Sequence, residues 1–173
     1  MSQSVGRFAE IMAEVRHFAW HLELRDFYGV EDEMEHFAAF RRGDWSMAAE
    51  RADRQAWLDL VAGAVARGVT VRRARVVSTE VSDYIRYEHA GTQMNIEAGE
   101  QVRWLARRYA SDLGLPGNDF WLFDGRLVQF NVFDGKGRWV RTDFSEKQDV
   151  LRLCTEAFES VWERAVPHER FTV

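Results

Sequence analysis

A chain of 173 residues is long enough to bury a core of its own and suits a single domain. Its 46% hydrophobic content, with 13% aromatic residues and only two prolines, excludes a disordered or low-complexity protein. The formal charge of −5 argues against binding nucleic acid through the overall field, although Arg103, Arg107 and Arg108 form a local basic cluster in sequence.

The one cysteine, Cys154, lies in an apolar helical pattern, which excludes an internal disulfide framework and implies a cytoplasmic setting. No segment has the pattern of a signal peptide or the length of a membrane span, so a soluble protein is expected. Of 23 basic residues only Lys136 and Lys147 are lysines, a bias that reflects a GC-rich genome and not a function.

Taken in order, residues Val5 to Trp20 carry Phe8, Ile11, Met12, Val15, Phe18 and Ala19 at spacings of three and four, which predicts an amphipathic helix. The alternation of Leu22, Leu24 and Phe27 predicts a short extended segment ending near Gly29. Glu31 to Arg41 reads as a second helix closed by Gly43, with acids at its front and arginines at its back, as the helix dipole favours. A third helix, capped by Asp44 or Ser46, is expected to run to about Arg67 with Trp57, Leu58, Val61 and Val65 inward. The run VTVRRARVVS then predicts a central strand, with Val69, Val71, Arg73 and Arg75 on one face.

A helix over Val81 to Ala98, capped by Thr79 or Ser82, and a strand over Gln101 to Leu105 continue the crossover grammar of an α/β sheet. Tyr109 to Leu113 is ambiguous, and Leu115 to Asn118 is a loop. Asp119 to Phe123 and Arg126 to Phe133 read as a hairpin around Asp124-Gly125, with a further strand over Arg138 to Thr142. Ser145 to Arg164 has a broad apolar stripe and forms the last helix, stopped by Pro167. The expected architecture is therefore α/β, or α+β, in one domain: a helical part to about residue 67, then a mixed sheet of four to six strands flanked by helices.

His17 and His21 share a helical face on this reading, which is metal-ligand spacing, but HFAWH lacks the glutamate of a zincin motif, so no metal site is assigned. There is no Gly-rich phosphate loop, no GxSxG elbow and no CxxC, and no cofactor is implied. Polar residues near the ends of the expected strands, Tyr84, Arg86, Tyr87, Glu100, Arg103, Asp119 and Asp124, with Ser78 and Glu88 beside them, are the candidate ligand-binding set, because ligands of open α/β sheets collect at carboxyl ends of strands. As structural residues instead, Glu100 would pair with Arg103 and Asp124 would shape its own turn.

The segments RARVVSTEVSDYIRYEH, NIEAGEQVRWLAR, LPGNDFWLFDGRLVQFNVFDGKG and FESVWERAVPHERF together resemble the DUF6879 family of actinobacterial proteins, from about Phe18 to Phe171. Such proteins are typical of streptomycetes and are often encoded beside helix-turn-helix regulators and small companion proteins. A more distant similarity is to the phospholipase D-like fold, whose motif is HxKxxxxD followed by glycine. Aligned on Asp124-Gly125, that motif puts Gly117 in place of the histidine and Asp119 in place of the lysine, so the nucleophile and the phosphate-holding cation are both missing. The closing pattern of Phe158, Trp162 and Ala165 resembles that of catalytically dead effector domains of transcription regulators.

What the resemblance implies is a non-enzymatic regulatory or protein-interaction module. Its partner would be a helix-turn-helix regulator or a small companion protein, with no direct nucleic-acid or membrane contact and a homodimer as a further possibility. A small-molecule sensor using Tyr84, Arg86, Glu100, Arg103 and Asp119 is the second expectation. An enzyme of unfamiliar type using Glu88, Glu100 or Asp119 is the third.

Overall fold

The computed structural model describes residues 2–173. Seven strands form one mixed sheet: β1 (Phe18–Glu23), β2 (Thr70–Val77), β3 (Gln101–Ala106), β4 (Asp119–Phe123), β5 (Leu127–Phe133), β6 (Trp139–Ser145) and the two-residue β7 (Val166–Pro167). They are arranged β6-β5-β4-β1-β2-β3-β7. β1, β2 and β3 are parallel, β4 runs antiparallel to β1, and β4, β5 and β6 form an antiparallel meander. The helices are α1 (Ser2–Glu14), α2 (Glu31–Arg42), α3 (Met47–Asp53), α4 (Gln55–Ala66), α5 (Asp83–Glu97) and α6 (Gln148–Arg164). This is the expected mixed α/β class, with one strand more than the upper expectation, namely the short β7.

The main departure lies at the start. The expected helix over Val5 to Trp20 ends at Glu14, and Phe18 to Glu23 is a strand in the middle of the sheet, between β4 and β2. Phe18, Trp20 and Leu22 face one layer, and Ala19, His21 and Glu23 face the other. This period of two was hidden because Phe18 and Ala19 also continue the helical spacing of α1. His17 and His21 therefore do not share a helical face. The third expected helix is two helices that break at Arg54, and Ser46 caps the first by accepting a bond from the Ala49 N–H.

The sheet separates two cores. On one face α6 lays Leu151, Cys154, Ala157, Phe158 and Val161 over Leu22, Ala74, Val76, Leu105, Phe120, Leu122 and Val128. This layer is apolar, and burial pushes the Cys154 thiol up to about 12, so it acts as a small hydrophobe. On the other face α1 and α4 cover one half of the sheet through Met12, Val15, Val61 and Ala64. There α5, with α2 behind it, covers another part through Tyr84, Ile85 and Tyr87. Between these two clusters, in place of more hydrocarbon, sits a row of charges.

The hairpin turn at Asp124-Gly125 forms as expected, with both residues at positive φ (50° and 65°), the requirement of a two-residue turn of the primed type. The Asp124 carboxylate does more than shape the turn. It accepts the backbone N–H groups of Arg16, His17 and Phe18, each at 2.9 Å, and so fastens the entry of β1 to the end of β4. Burial works against it, but these three donors hold its pKa below the ordinary value.

Candidate functional site

The register aligns polar residues across the helix-covered face. Arg73 pairs with His21, His21 with Trp121, Trp121 with Gln129 and Gln129 with Phe144. One step along, Arg75 pairs with Glu23, Asp119 with Asn131 and Asn131 with Thr142. Because side chains alternate across a strand, each row projects onto a single face.

At the centre Glu23 lies between two arginines of β2: Arg73 Nη1 is 2.5 Å from its Oε1 and Arg75 Nε is 2.9 Å from its Oε2. Arg73 Nε also donates to Glu100 Oε1 at 2.9 Å, and Arg75 Nη1 lies 2.5 Å from Glu88 Oε2. Asn95 Nδ2 donates to the second oxygen of Glu100 at 2.6 Å. Glu23, Arg73, Arg75, Glu88 and Glu100 are all buried. Around them Tyr84 donates to Glu33 (2.7 Å) and Tyr87 to Glu50 (2.8 Å), and Tyr28 donates to Asp119. Glu50 also receives the Trp45 indole N–H and faces Arg54.

Six carboxyl groups, of Glu23, Glu33, Glu50, Glu88, Glu100 and Asp119, thus surround three guanidinium groups, of Arg54, Arg73 and Arg75. Two of these acids, Glu33 and Asp119, have no arginine in contact. Burial and then the charge of Glu88 push Glu33 up to about 7, and burial, with Glu23 adding to it, pushes Asp119 up to about 6. His21 is held neutral, well below its ordinary pKa, by burial and by Arg73 and Arg75. Its 3.2 Å approach to Glu23 is therefore no ion pair.

Two cavities flank this network. The larger, about 1070 Å³, is a groove over β5 and β6, where the helices of this face leave the sheet open. Its walls are Arg7 and Phe8 of α1, Trp57 and Leu60 of α4, and Val140 and Phe144 of β6, and Gln129, Asn131 and Thr142 lie on its floor. The smaller, about 650 Å³, lies at the carboxyl ends of β2 and β3 and is lined by Ser78, Arg86, Arg108, Tyr109 and Phe171 among others.

The seven candidate ligand residues fall in four places. Tyr84, Tyr87, Glu100 and Asp119 belong to the buried network, where each already has a partner. Arg86 is exposed, lines the smaller cavity and bonds Asp83 and the Val81 carbonyl. Arg103 lies on the opposite face, where it donates to the Trp162 carbonyl (2.9 Å) and sits 4.5 Å above the Trp162 ring. Asp124 is at the far end of β4. Glu100 pairs with Arg73 and not with Arg103, because neighbouring residues across the start of β3 point to different layers.

Sequence reading missed Glu23, Glu33 and Glu50 as partners, and the whole groove. A signal existed for the first: Arg73 and Arg75 on the inward face of a buried strand require acids opposite them. Among the described residues no group of three or more His, Cys, Asp or Glu is placed to hold a metal ion, and no helix is long and apolar enough to cross a membrane.

The fold is similar to those of two solved structures. It resembles the crystal structure of a phospholipase D family member, Nuc from Salmonella typhimurium, with a TM-score of 0.55 at 9% identity over 94% of this chain and 89% of that one. It also resembles TrmBL2, described as an archaeal chromatin protein with a novel mode of DNA binding, with a TM-score of 0.52 at 16% identity over 94% of this chain. The chain spans half the length of that archaeal protein. The family is shown by sequence: residues 6–173 match DUF6879, a domain of unknown function, and the chain belongs to that family. No curated protein sequence is a significant match.

Proposed function

We propose that this chain is a non-enzymatic regulatory module that acts by binding a protein partner, a helix-turn-helix transcription regulator or a small companion protein of one. The observation that carries the non-enzymatic reading is Asp119. It stands where the phospholipase D-like motif has its lysine, and it is buried as the acceptor of the Tyr28 hydroxyl and the Leu24 N–H. A cation that holds a transferring phosphate must face substrate. A buried anion with its hydrogen bonds spent inside the sheet does the opposite, and Gly117 offers no nucleophile in the loop before it.

The partner comes from the family resemblance, and two features agree with it. The fold recurs in an archaeal chromatin protein described as DNA-binding, over half of that protein's length. This chain carries a charge of −5, so contact with DNA is better supplied by a partner than by its own field. The test is affinity capture of the tagged full chain from the native cell, followed by mass spectrometry. A helix-turn-helix regulator or its companion protein is expected at near-stoichiometric yield, and recovery of neither rejects the proposal. In a phosphodiesterase assay, neither the native chain nor a Gly117→His variant is expected to turn over substrate. A Cβ at Gly117 meets nothing within 4 Å, so the substitution itself meets no steric obstacle at the Cβ.

A further inference from the structure

The groove over β5 and β6 has a floor that the fold itself does not use. Gln129 is only 7% exposed, yet its carboxamide makes a single bond, from Nε2 to Asn131 Oδ1 at 3.2 Å. One bond between two carboxamides leaves one carbonyl oxygen and one NH₂ group over, whichever way the two amides are turned. Among the described residues neither carboxamide bonds to anything else. Gln129 is buried and Asn131 half-buried, so these groups are open to the groove, where they meet water or a ligand.

The walls define what kind of ligand. They are aromatic, with Phe8, Trp57, Phe133, Trp139 and Phe144 around the floor, and Val140 standing 60% exposed at the rim. The charged residues of the lining cancel: Arg7 and Arg138 against Glu31 and Asp134. Arg138 is bound to Asp134 at 2.7 Å, and the Arg7 guanidinium, still charged, lies over the Phe144 ring at 4.1 Å. The lining as a whole therefore carries no net charge. The volume of about 1070 Å³ is at the upper end of small-molecule sites.

We infer that this groove binds an uncharged, mainly aromatic small molecule with one amide or lactam edge, whose N–H meets the free carbonyl and whose C=O meets the free NH₂ of the Gln129–Asn131 pair. The rings pack on the aromatic walls, where stacking adds to area burial. The site is separate from the strand-end residues and does not depend on the partner proposed above, because binding is read on the isolated chain. Its failure would leave that partner untouched.

The test titrates the ¹⁵N-labelled full chain with three probes of one size: 2-quinolinone, which has the lactam edge; N-methyl-2-quinolinone, which lacks its N–H; and 2-naphthoate, an anion. The lactam is expected to shift the side-chain amides of Gln129 and Asn131 and the indole N–H signals of Trp57 and Trp139. It should bind at least tenfold more tightly than either of the others. Asn131→Leu and Val140→Glu are expected to weaken it at least tenfold while Tm stays within a few degrees, since one residue is half-buried and the other exposed. Equal affinity for all three probes overturns the inference in favour of a merely greasy surface. Preference for 2-naphthoate overturns it in favour of an anion site at Arg7. No shift at these residues up to millimolar concentrations, or unchanged lactam binding in both variants, also overturns it.

Discussion

Arg75, like Arg73, has two buried acids depending on it. Its guanidinium balances Glu23 and Glu88, and both of those acids are sealed from water. Removing one partner of such a group leaves the others charged and uncompensated, which costs about 3–5 kcal/mol. Arg75→Met is therefore expected to lower stability by about that amount in urea denaturation, whereas the exposed Arg86→Ala should stay within about 0.5 kcal/mol. Asp119 sets a different dependence. Its folded pKa, about 6, is above its ordinary 3.8, so the folded state holds its proton more tightly. The stability this contributes is complete below pH 3.8 and is lost as pH rises through about 6. Glu33 acts in the same sense up to about pH 7. His168, lowered to about 4 chiefly by burial, acts in the opposite sense: its contribution is complete above 6.5 and lost as pH falls through about 4. Asp119→Asn should remove the part of the Tm change between pH 4 and 6 that belongs to this carboxyl, as thermal melts across that range would read. A variant with the native pH profile would refute the assignment.

Among the elements, β1 has the most demanding position, because it joins the parallel strands β2 and β3 to the antiparallel meander of β4 to β6. Asp124 secures it by accepting three backbone N–H groups from residues 16 to 18. Hydrogen bonds to a charged acceptor contribute about 1.5–3 kcal/mol each when intact, and part of that returns as water replaces the acceptor. Asp124→Ala is expected to cost about 2–4 kcal/mol, and hydrogen exchange should show residues 16 to 18 losing protection ahead of β2. Equal loss in β2 would mean that the turn does not fasten β1 locally. The other elements follow their patterns more directly. α5 starts at Ser82, whose hydroxyl accepts the Ile85 N–H, and α2 stops at Gly43 in the left-handed conformation, both as helix-cap chemistry predicts.

For the whole molecule, the boundary near residue 67 that separates a helical part from a sheet part does not describe how the sheet is built. Residues 68–173 alone would present β4 and β2 without the strand between them, and would leave Arg73 and Arg75 without Glu23. A fragment of residues 68–173 is expected to lack dispersed amide signals and a cooperative melt, while the full chain shows both. A folded fragment would show that the β1 position is dispensable. The two faces of the sheet also divide the work: the α6 layer is hydrocarbon and supplies stability, while the opposite layer holds the charges and the open groove.

Elements whose periodicity was undisturbed were legible in the chain itself: α2, α5, α6, β2 to β5, the Asp124-Gly125 turn, and the α/β class they compose. Their local pattern and their tertiary role agree, so residue spacing was enough. Only the tertiary structure decided three other things. It turned Phe18 to Glu23 into the central strand, because pairing on both sides outweighs a helical spacing inherited from α1. It gave Glu100 to Arg73, because face and register, and not distance along the chain, decide which charges meet. And it opened a groove over Gln129 and Asn131, because what a helix leaves uncovered depends on how far α1 and α4 reach across the sheet, a property of packing that no stretch of sequence carries.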